Sequence, residues 1–183
     1  MALIDRDNCT LFVIDVQGRL LPAVESPKQT LANIAALVEV ALLLDVPIAY
    51  SEQYPKGLGA TEDSLLSLLR GKAEHFEKLS FSCVGEPQIK TALSQWEPKQ
   101  IIIAGMETHV CVLQTVLELR EMGFEVFVVE DAVSSRKSKD KELALKRMQQ
   151  NGVVIVSKEM VMFEWLQRAD HPKFKDISRQ HIR

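Results

Sequence analysis

One stretch of this sequence, from residue 101 to residue 118, combines a buried strand, a glycine-marked turn and an amphipathic helix. It reads IIIAGMETHVCVLQTVLE, which places Cys111 in the opening turns of the helix. Because a helix N-terminus presents unpaired N–H groups and the positive end of the peptide dipole, this pattern predicts a lowered thiol pKa. A thiolate is a nucleophile, so Cys111 is the first candidate for covalent chemistry. The alternative is a small, buried helix residue.

Two further side chains could serve the same chemistry. Asp15 ends the apolar run CTLFVID, where its carboxylate either pairs with a cation, takes a proton from a nucleophile, or caps the following turn. Lys78 has apolar neighbours in FEKLSFS, and is either an exposed edge residue or the cation that holds a thiolate and a carboxylate together. From the residues alone, these alternatives stay open.

The spacing of apolar residues predicts the elements that position these side chains. Short apolar runs predict six strands, at 9–15, 46–51, 75–80, 100–104, 124–129 and 153–156. Helical periodicity predicts six helices, at 27–44, 62–69, 86–96, 108–122, 139–150 and 159–168. Ser26 is expected to cap the first helix, and residues 54–60 are expected to form a loop.

Alternating strands and helices predict an α/β fold. We expect a doubly wound, mostly parallel six-stranded sheet with helices on both faces, in a single domain over residues 1–183. Ligands bind such sheets beyond the carboxyl ends of the strands, at the point where the strand order reverses. Asp15 and Lys78 lie near the carboxyl ends of predicted strands and Cys111 follows one, so this edge of the sheet is the expected site.

The composition limits the class of protein. The chain has 183 residues, of which 46% are hydrophobic and 26% are charged. This length and this composition are typical of a globular domain. A net charge of -3 without a basic stripe argues against nucleic acid as a partner. No apolar run reaches the roughly 18 residues of a membrane span, and no secretory signal precedes the first strand. Three cysteines without C-x-x-C spacing indicate a reducing compartment, so we expect a cytoplasmic protein.

The three candidate segments together resemble one family. Asp15 in FVIDVQ, Lys78 in FEKLSFS and Cys111 in AGMETHVCV follow the order of the isochorismatase-like, or cysteine hydrolase, superfamily. The resemblance extends from about Thr10 to Phe174. Further segments, SEQYPKGLGATE and DAVSSRKSKDKELALKRMQQNG, are most similar to isochorismatase domain-containing proteins and YcaC-like hydrolases. The resemblance implies a Rossmann-like, three-layer isochorismatase-like hydrolase fold and an Asp-Lys-Cys catalytic triad.

In the implied mechanism, Cys111 attacks a carbonyl or imine carbon, and Asp15 takes the thiol proton and later activates water. Lys78 stabilises the charged pair. The implied activity is hydrolysis of a small amide, imide or vinyl-ether-type substrate through a thioester-like intermediate. The resemblance also places a non-proline cis peptide at Met106–Glu107, with the amides of Glu107 and Cys111 as an oxyanion hole.

The resemblance suggests further residues around a substrate. Gln17 matches a glutamine common in the family, and its alternative role is that of an ordinary turn amide. The other residues expected to line the pocket could equally be packing residues; these are Leu20, Tyr54, Phe81 and His109.

We expect no cofactor and no metal ion. Nicotinamidases of the superfamily hold a metal with an Asp and closely spaced histidines after the second strand, whereas SEQYPKGLG contains no histidine. The histidines are scattered and show no ligand spacing; they are His75, His109, His171 and His181. Two alternatives are a nucleotide-binding module, whose G-x-G-x-x-G is missing after the first strand, and a scaffold or interaction protein without turnover.

The expected partners are a small-molecule substrate and further copies of the chain, with no nucleic acid and no membrane. Assembly into a homo-oligomer, a dimer or larger, is expected from the resemblance and from the 159–166 helix. There the apolar residues exceed what one core-facing stripe requires; they are Met160, Val161, Phe163, Trp165 and Leu166.

Overall fold

The computed structural model describes residues 3–96 and 99–182. Within them, six strands form one sheet in the order β3-β2-β1-β4-β5-β6, and every pairing is parallel. The predicted α/β class is confirmed, and the sheet is entirely parallel. The strands are β1 (Cys9–Ile14), β2 (Ile48–Gln53), β3 (Glu74–Lys78), β4 (Gln100–Met106), β5 (Glu125–Ser134) and β6 (Val154–Val156).

Helices cover both faces of the sheet. In the described residues these are α1 (Pro27–Leu43), α2 (Pro55–Leu58), α3 (Asp63–Leu69), α4 (Pro87–Gln95), α5 (Leu113–Glu121), α6 (Ser138–Gln150), α7 (Lys158–Leu166) and α8 (Phe174–Ile177). One core cluster packs α1, α3 and α7 against the sheet, and a second packs α4, α5 and α6 against its other face. Alternate residues of β1 therefore enter different cores: Leu11 and Val13 the first, Phe12 and Ile14 the second.

Some predicted boundaries are wrong for identifiable reasons. β5 extends past residue 129 to Ser134, although Glu130 and Asp131 interrupt the apolar run that predicted it. The expected loop at 54–60 contains the single helical turn α2, which Pro55 begins. Ser26 does not cap α1, because its backbone is left-handed (φ 50°) and its side chain accepts no capping hydrogen bond.

Most of the apolar side chains of α7 are buried in the core. Val161, Trp165 and Leu166 are buried, so the predicted apolar surface is reduced to Met160 and Phe163. The indole Nε1 of Trp165 donates to Cys9 Sγ at 3.3 Å, which connects α7 to the start of β1. No helix among the residues described has the length and apolarity needed to cross a membrane.

The strand order reverses between β1 and β4, which lie side by side at the centre of the sheet. Their backbones approach closely at Gly105, which has φ 122°. A Cβ atom added there would lie 2.0 Å from the carbonyl oxygen of Ile14 and 2.6 Å from its nitrogen. Only glycine fits, and this close approach brings the end of β1 next to the end of β4.

Candidate active site

Asp15 and Lys78 form an ion pair in the interior, at the carboxyl ends of β1 and β3. Lys78 Nζ lies 2.7 Å from Asp15 Oδ2, and both side chains are fully buried. The two alternatives that the residues left open are thereby decided, since Lys78 is not an exposed edge residue and the Asp15 carboxylate does not cap a turn. Asp15 itself has a left-handed backbone (φ 53°), a conformation uncommon outside glycine that recurs at functional sites.

Neighbouring groups complete the hydrogen bonds of this pair. Lys78 Nζ also donates to Gln53 Oε1 at 2.6 Å and to the Phe81 carbonyl oxygen at 3.0 Å. Ser51 Oγ donates to Asp15 Oδ1 at 2.8 Å. Because a buried ion pair is stable only when its remaining donors and acceptors are satisfied, this shell holds both charges in fixed positions.

Cys111 lies beside the carboxylate. Its thiol is close enough to Asp15 and Lys78 for both charges to act on it, and the residue is 5% exposed. Burial raises the pKa of the Cys111 thiol above its ordinary value, and the Asp15 charge adds to this while Lys78 opposes it. The prediction of a lowered pKa is therefore wrong. The first turn, Thr108–Val112, is π-helical, and burial outweighs the helix dipole.

The pair is poised to accept the thiol proton. Burial raises the pKa of the Asp15 carboxyl above its ordinary value, and the attraction of Lys78 offsets only part of that effect. Burial disfavours the Lys78 ammonium, but the surrounding negative groups, with Asp15 foremost, raise its pKa overall. A more basic carboxylate is a better acceptor for the proton of a thiol, which is itself a weaker acid than usual.

A second cysteine lies close by. Cys83 Sγ donates to Ser51 Oγ at 3.6 Å, and Ser51 Oγ in turn donates to Asp15, so Ser51 connects this thiol to the carboxylate. Cys83 is 0% exposed, and burial raises the pKa of its thiol to about 11. Cys83 thus has no exposed surface, whereas Cys111 keeps a small exposed fraction of 5%.

The segment before Cys111 contains the residues expected to bind an oxyanion. The Met106–Glu107 peptide bond is cis, and Glu107 is buried with its carboxylate 2.8 Å from Arg136 Nε. Thr108 Oγ1 is buried and has no hydrogen-bond partner within the described part of the chain. Arg136 thus holds the Glu107 side chain, and the Thr108 hydroxyl is the group without a partner in this part of the described chain.

The Gln17 side chain makes three hydrogen bonds to the backbone of neighbouring segments. Its Nε2 donates to the carbonyl oxygens of Gln53 (3.0 Å) and Gly59 (2.6 Å), and its Oε1 accepts from the Gln53 backbone N–H at 2.8 Å. The side chain is fully buried, and these bonds tie the segment after β1 to the end of β2. Its position corresponds to the turn-amide alternative, not to a substrate contact.

The remaining pocket candidates lie in different environments. Leu20 packs against the first core cluster. Tyr54 and Phe81 are 50% and 56% exposed, and Tyr54 helps to line a cavity of about 430 Å³ at the β3 edge together with Leu79. His109 is partly buried, with Nδ1 at 2.9 Å from Ser135 Oγ.

Sequence reasoning assigned no role to Ser51 and Gln53, although both contact the ion pair. The available signal was their position, since both are polar residues at the carboxyl end of a strand that pairs with β1. Cys83 was counted only as a thiol without a partner. Its proximity depends on the packing of the turn Cys83–Gly85 against α5, which no local pattern reveals.

One group of residues could hold a metal ion among those described. It comprises Glu52, His75 and Glu77, whose ligand atoms lie within 4.8 Å of one another. The side chains of β3 alternate between faces, so this group lies on the face opposite to Lys78.

The reversal of strand order, with an acid, a lysine and a thiol at the strand ends, defines an α/β protein with its site at a topological switch point. The chain matches the family model of the isochorismatase domain over residues 9–160. It is 38% identical over 167 residues to isochorismatase domain-containing protein 1 of Danio rerio, covering 91% of this chain and 58% of that protein. This chain thus spans little more than half the length of that relative.

Solved structures agree with this assignment. A structure of MAR1 ribonuclease from Caenorhabditis elegans superposes with a TM-score of 0.92 at 35% identity, covering 100% of this chain and 93% of that one. YcaC of Escherichia coli, described as an octameric hydrolase of unknown specificity, has a TM-score of 0.93 at 25% identity (100% and 92% covered). YcaC of Pseudomonas aeruginosa, with covalent acrylamide, has a TM-score of 0.92 at 25% identity (98% and 92% covered). The chain belongs to the isochorismatase family of hydrolases.

Proposed function

We propose that this chain is a cysteine-dependent hydrolase in which Cys111 is the nucleophile, Asp15 the general base and Lys78 the cation that holds Asp15 in place. One observation carries the proposal: the Cys111 thiol lies close enough to Asp15 to feel its charge, and this buried carboxylate is paired with the Lys78 ammonium at 2.7 Å. A nucleophile, a base and a group that orients the base are the three parts that covalent hydrolysis requires.

In the first half-reaction, Cys111 Sγ attacks the carbonyl carbon of the substrate while Asp15 takes the thiol proton. The carbonyl π electrons move to oxygen, and the amides of Glu107 and Cys111 are the donors proposed to bind that oxyanion. When the oxyanion collapses, the bond to the leaving group breaks. Asp15 returns the proton to the leaving amine, and a thioester remains on Cys111.

In the second half-reaction, Asp15 accepts a proton from a water molecule, and the resulting hydroxide attacks the thioester carbon. The C–S bond breaks, the proton returns to sulfur, and the acid product leaves. Lys78 stays protonated throughout, because its raised pKa keeps the ammonium charged beside Asp15. Its role is therefore to hold the carboxylate and compensate its charge.

The substrate class that we propose is a small amide, imide or vinyl-ether-type molecule. Cys111 is only 5% exposed, so a small reacting group reaches it more readily than a polymer does. Tyr54, Phe81 and His109 are the proposed substrate contacts, since all three are at least partly exposed. The C. elegans neighbour is named a ribonuclease, but the net charge of -3 does not favour a polyanionic substrate here.

Acrylamide labelling tests the proposed nucleophile. Peptide mass spectrometry at pH 7 should find Cys111 modified well ahead of Cys9 and Cys83, although burial raises the pKa of all three thiols. The Asp15→Asn variant should lose about 100-fold or more of the Cys111 rate, within the range for removal of a general base. The exposed Asp170→Asn variant is the matched control and should label like the wild type.

Equal, slow labelling of the three cysteines would instead support the scaffold alternative. If Asp15→Asn fails to fold, Ser51→Ala answers the same question, because it removes the hydrogen bond to Asp15 Oδ1, together with the one from Cys83 Sγ, and leaves the carboxylate in place. A screen of small amides with wild type and Cys111→Ser then tests turnover, which Cys111→Ser should abolish.

We further propose a homo-oligomer in a reducing, cytoplasmic compartment. The E. coli YcaC neighbour is described as octameric, and Met160 and Phe163 of α7 are exposed apolar residues here. All three cysteines are free. Light scattering at working concentration should give a mass of at least twice 20.6 kDa, and a monomer would contradict the proposed assembly.

A further inference from the structure

Strands β2 and β3 bring three potential metal ligands to one face of the sheet. Glu52 lies directly opposite Glu77 in the parallel register, and His75, two residues before Glu77, has its side chain on the same face. His75 Nε2 is 3.2 Å from Glu52 Oε2, and all three ligand atoms lie within 4.8 Å of one another. Strand pairing creates this group, so the spacing of histidines along the chain could not reveal it.

The Glu52 carboxylate is held in a fixed orientation. Glu52 is 5% exposed, and its Oε1 accepts hydrogen bonds from the Thr61 backbone N–H at 2.6 Å and from Thr61 Oγ1 at 2.7 Å. Oε2 is therefore the oxygen that faces His75. Outer hydrogen bonds of this kind orient the carboxylate ligands of metal sites. The His75 ring is also fixed, because it stacks on Tyr50 with ring centroids 4.6 Å apart.

The group has an excess of negative charge. Within residues 3–96 and 99–182, neither Glu52 nor Glu77 has a lysine or arginine nitrogen within 4 Å, and His75 is the one basic group in the cluster. Like charges directly opposite one another on neighbouring strands destabilise a sheet. A bound cation would remove that repulsion and link the edge strand β3 to β2.

We propose that Glu52, His75 and Glu77 bind a divalent transition-metal ion of the zinc type. One imidazole nitrogen with two carboxylate oxygens is a donor set that suits Zn²⁺. Bonds of about 2.0–2.2 Å in a tetrahedron separate ligand atoms by about 3.3–3.6 Å, close to the 3.2 Å between His75 and Glu52. Glu77 is exposed and can close the remaining distance, and water takes the fourth position.

This site is separate from the proposed catalytic residues. Gln53 and Lys78 occupy the next register pair, so their side chains point to the other face of the sheet. The ion would not contact Asp15 or Cys111, and its role is to brace the sheet edge. Metal binding and thiol chemistry can therefore be tested independently, and failure of one does not bear on the other.

Zinc binding is measured by calorimetry on the metal-stripped Cys111→Ser protein, since this background removes the thiol next to Asp15 as a competing ligand. We expect one Zn²⁺ per chain. Thr61→Val should weaken binding by roughly 10–100-fold, as expected for loss of an outer hydrogen bond. His75→Ala and Glu77→Gln remove ligands and should weaken binding by more than Thr61→Val does.

The matched control is Glu74→Gln. Glu74 is an exposed carboxylate on the same strand, one residue from His75 and so on the opposite face, and its replacement should leave zinc affinity unchanged. Co²⁺ loaded into the same protein should show the visible absorption of a tetrahedral site, and the His75→Ala variant should not. If His75→Ala folds poorly, Glu77→Gln decides the question, because its side chain is exposed.

Two results would overturn the proposal. One is an affinity for Zn²⁺ that is equal in Glu77→Gln and Glu74→Gln. The other is binding that persists in His75→Ala but disappears when Cys83 is also replaced, which would assign the ion to the thiol.

Discussion

Lys78 lies opposite Gln53 on one face of the β2–β3 pair, and Glu77 lies opposite Glu52 on the other face. On the first face, the chain supplies its own cation to a buried carboxylate, and every bond of that cation is made within the fold. On the second face, two carboxylates and an imidazole meet without a lysine or arginine among the described residues within 4 Å. The Gln53–Lys78 pair therefore has a positive charge from the chain itself, whereas the Glu52–Glu77 pair depends on a bound ion. Each face can be tested separately.

The largest effect is expected from removing the internal cation with Lys78→Met. Asp15 would remain buried without its partner, which should lower the free energy of unfolding by about 3–5 kcal/mol. Urea denaturation measures this. The double variant Asp15→Asn/Lys78→Met should be more stable than Lys78→Met, because neither charge then remains. A double variant that is no more stable would show that packing of the lysine stem, not its charge, matters.

The second effect concerns the external cation on the other face. At a free Zn²⁺ concentration of 100 times Kd, binding to the folded chain should raise the free energy of unfolding by about 2.7 kcal/mol. Urea denaturation of Cys111→Ser with and without Zn²⁺ measures the difference, and Glu77→Gln in the same background should show almost none. An equal gain in both proteins would mean that zinc stabilises the chain from elsewhere.

A smaller effect is expected at Gln53, the neutral member of the catalytic-face pair. Gln53→Leu removes the acceptor 2.6 Å from Lys78 Nζ and the donor to the Leu79 carbonyl oxygen. A buried donor that loses an acceptor destabilises by about 1–3 kcal/mol, so the variant should fall between wild type and Lys78→Met in urea denaturation. Glu77→Gln without zinc is the comparison on the other face and should change stability by less than about 0.5 kcal/mol.

Periodicity was sufficient to predict the fold class, because buried parallel strands are short apolar runs separated by helical patterns. It also placed Asp15 at the end of β1 and Cys111 after β4. The wrong element boundaries lie where a polar residue interrupts the local sequence pattern, although the folded chain satisfies that residue. Asp131 interrupts the apolar pattern of β5, for example, while its carboxylate accepts from the Lys158 backbone N–H at 2.8 Å.

The protonation state of the site could not be predicted from local pattern. The helix dipole argument for Cys111 is local, whereas burial by the second core cluster and the charge of Asp15 depend on the packed structure. The same holds for the opposite face. Glu52 and His75 belong to different segments, and only the β2–β3 register brings their side chains to 3.2 Å.

The last effect tests the catalytic face at alkaline pH through Cys83. Burial raises the pKa of this thiol from 9.0 to about 11, so the folded chain holds the proton in a range where the unfolded chain has lost it. The stabilisation is complete below pH 9 and is lost as pH rises towards 11, by about 1.4 kcal/mol per pH unit for one proton.

Cys83→Ser should show a stability profile that is shallower by that slope between pH 9 and 11, measured by urea denaturation at each pH. The thiols of Cys9 and Cys111 titrate in both proteins, so the difference isolates Cys83. Parallel profiles would show that Cys83 does not resist ionisation, and that the interior around Ser51 and Asp15 is more polar than the packing indicates.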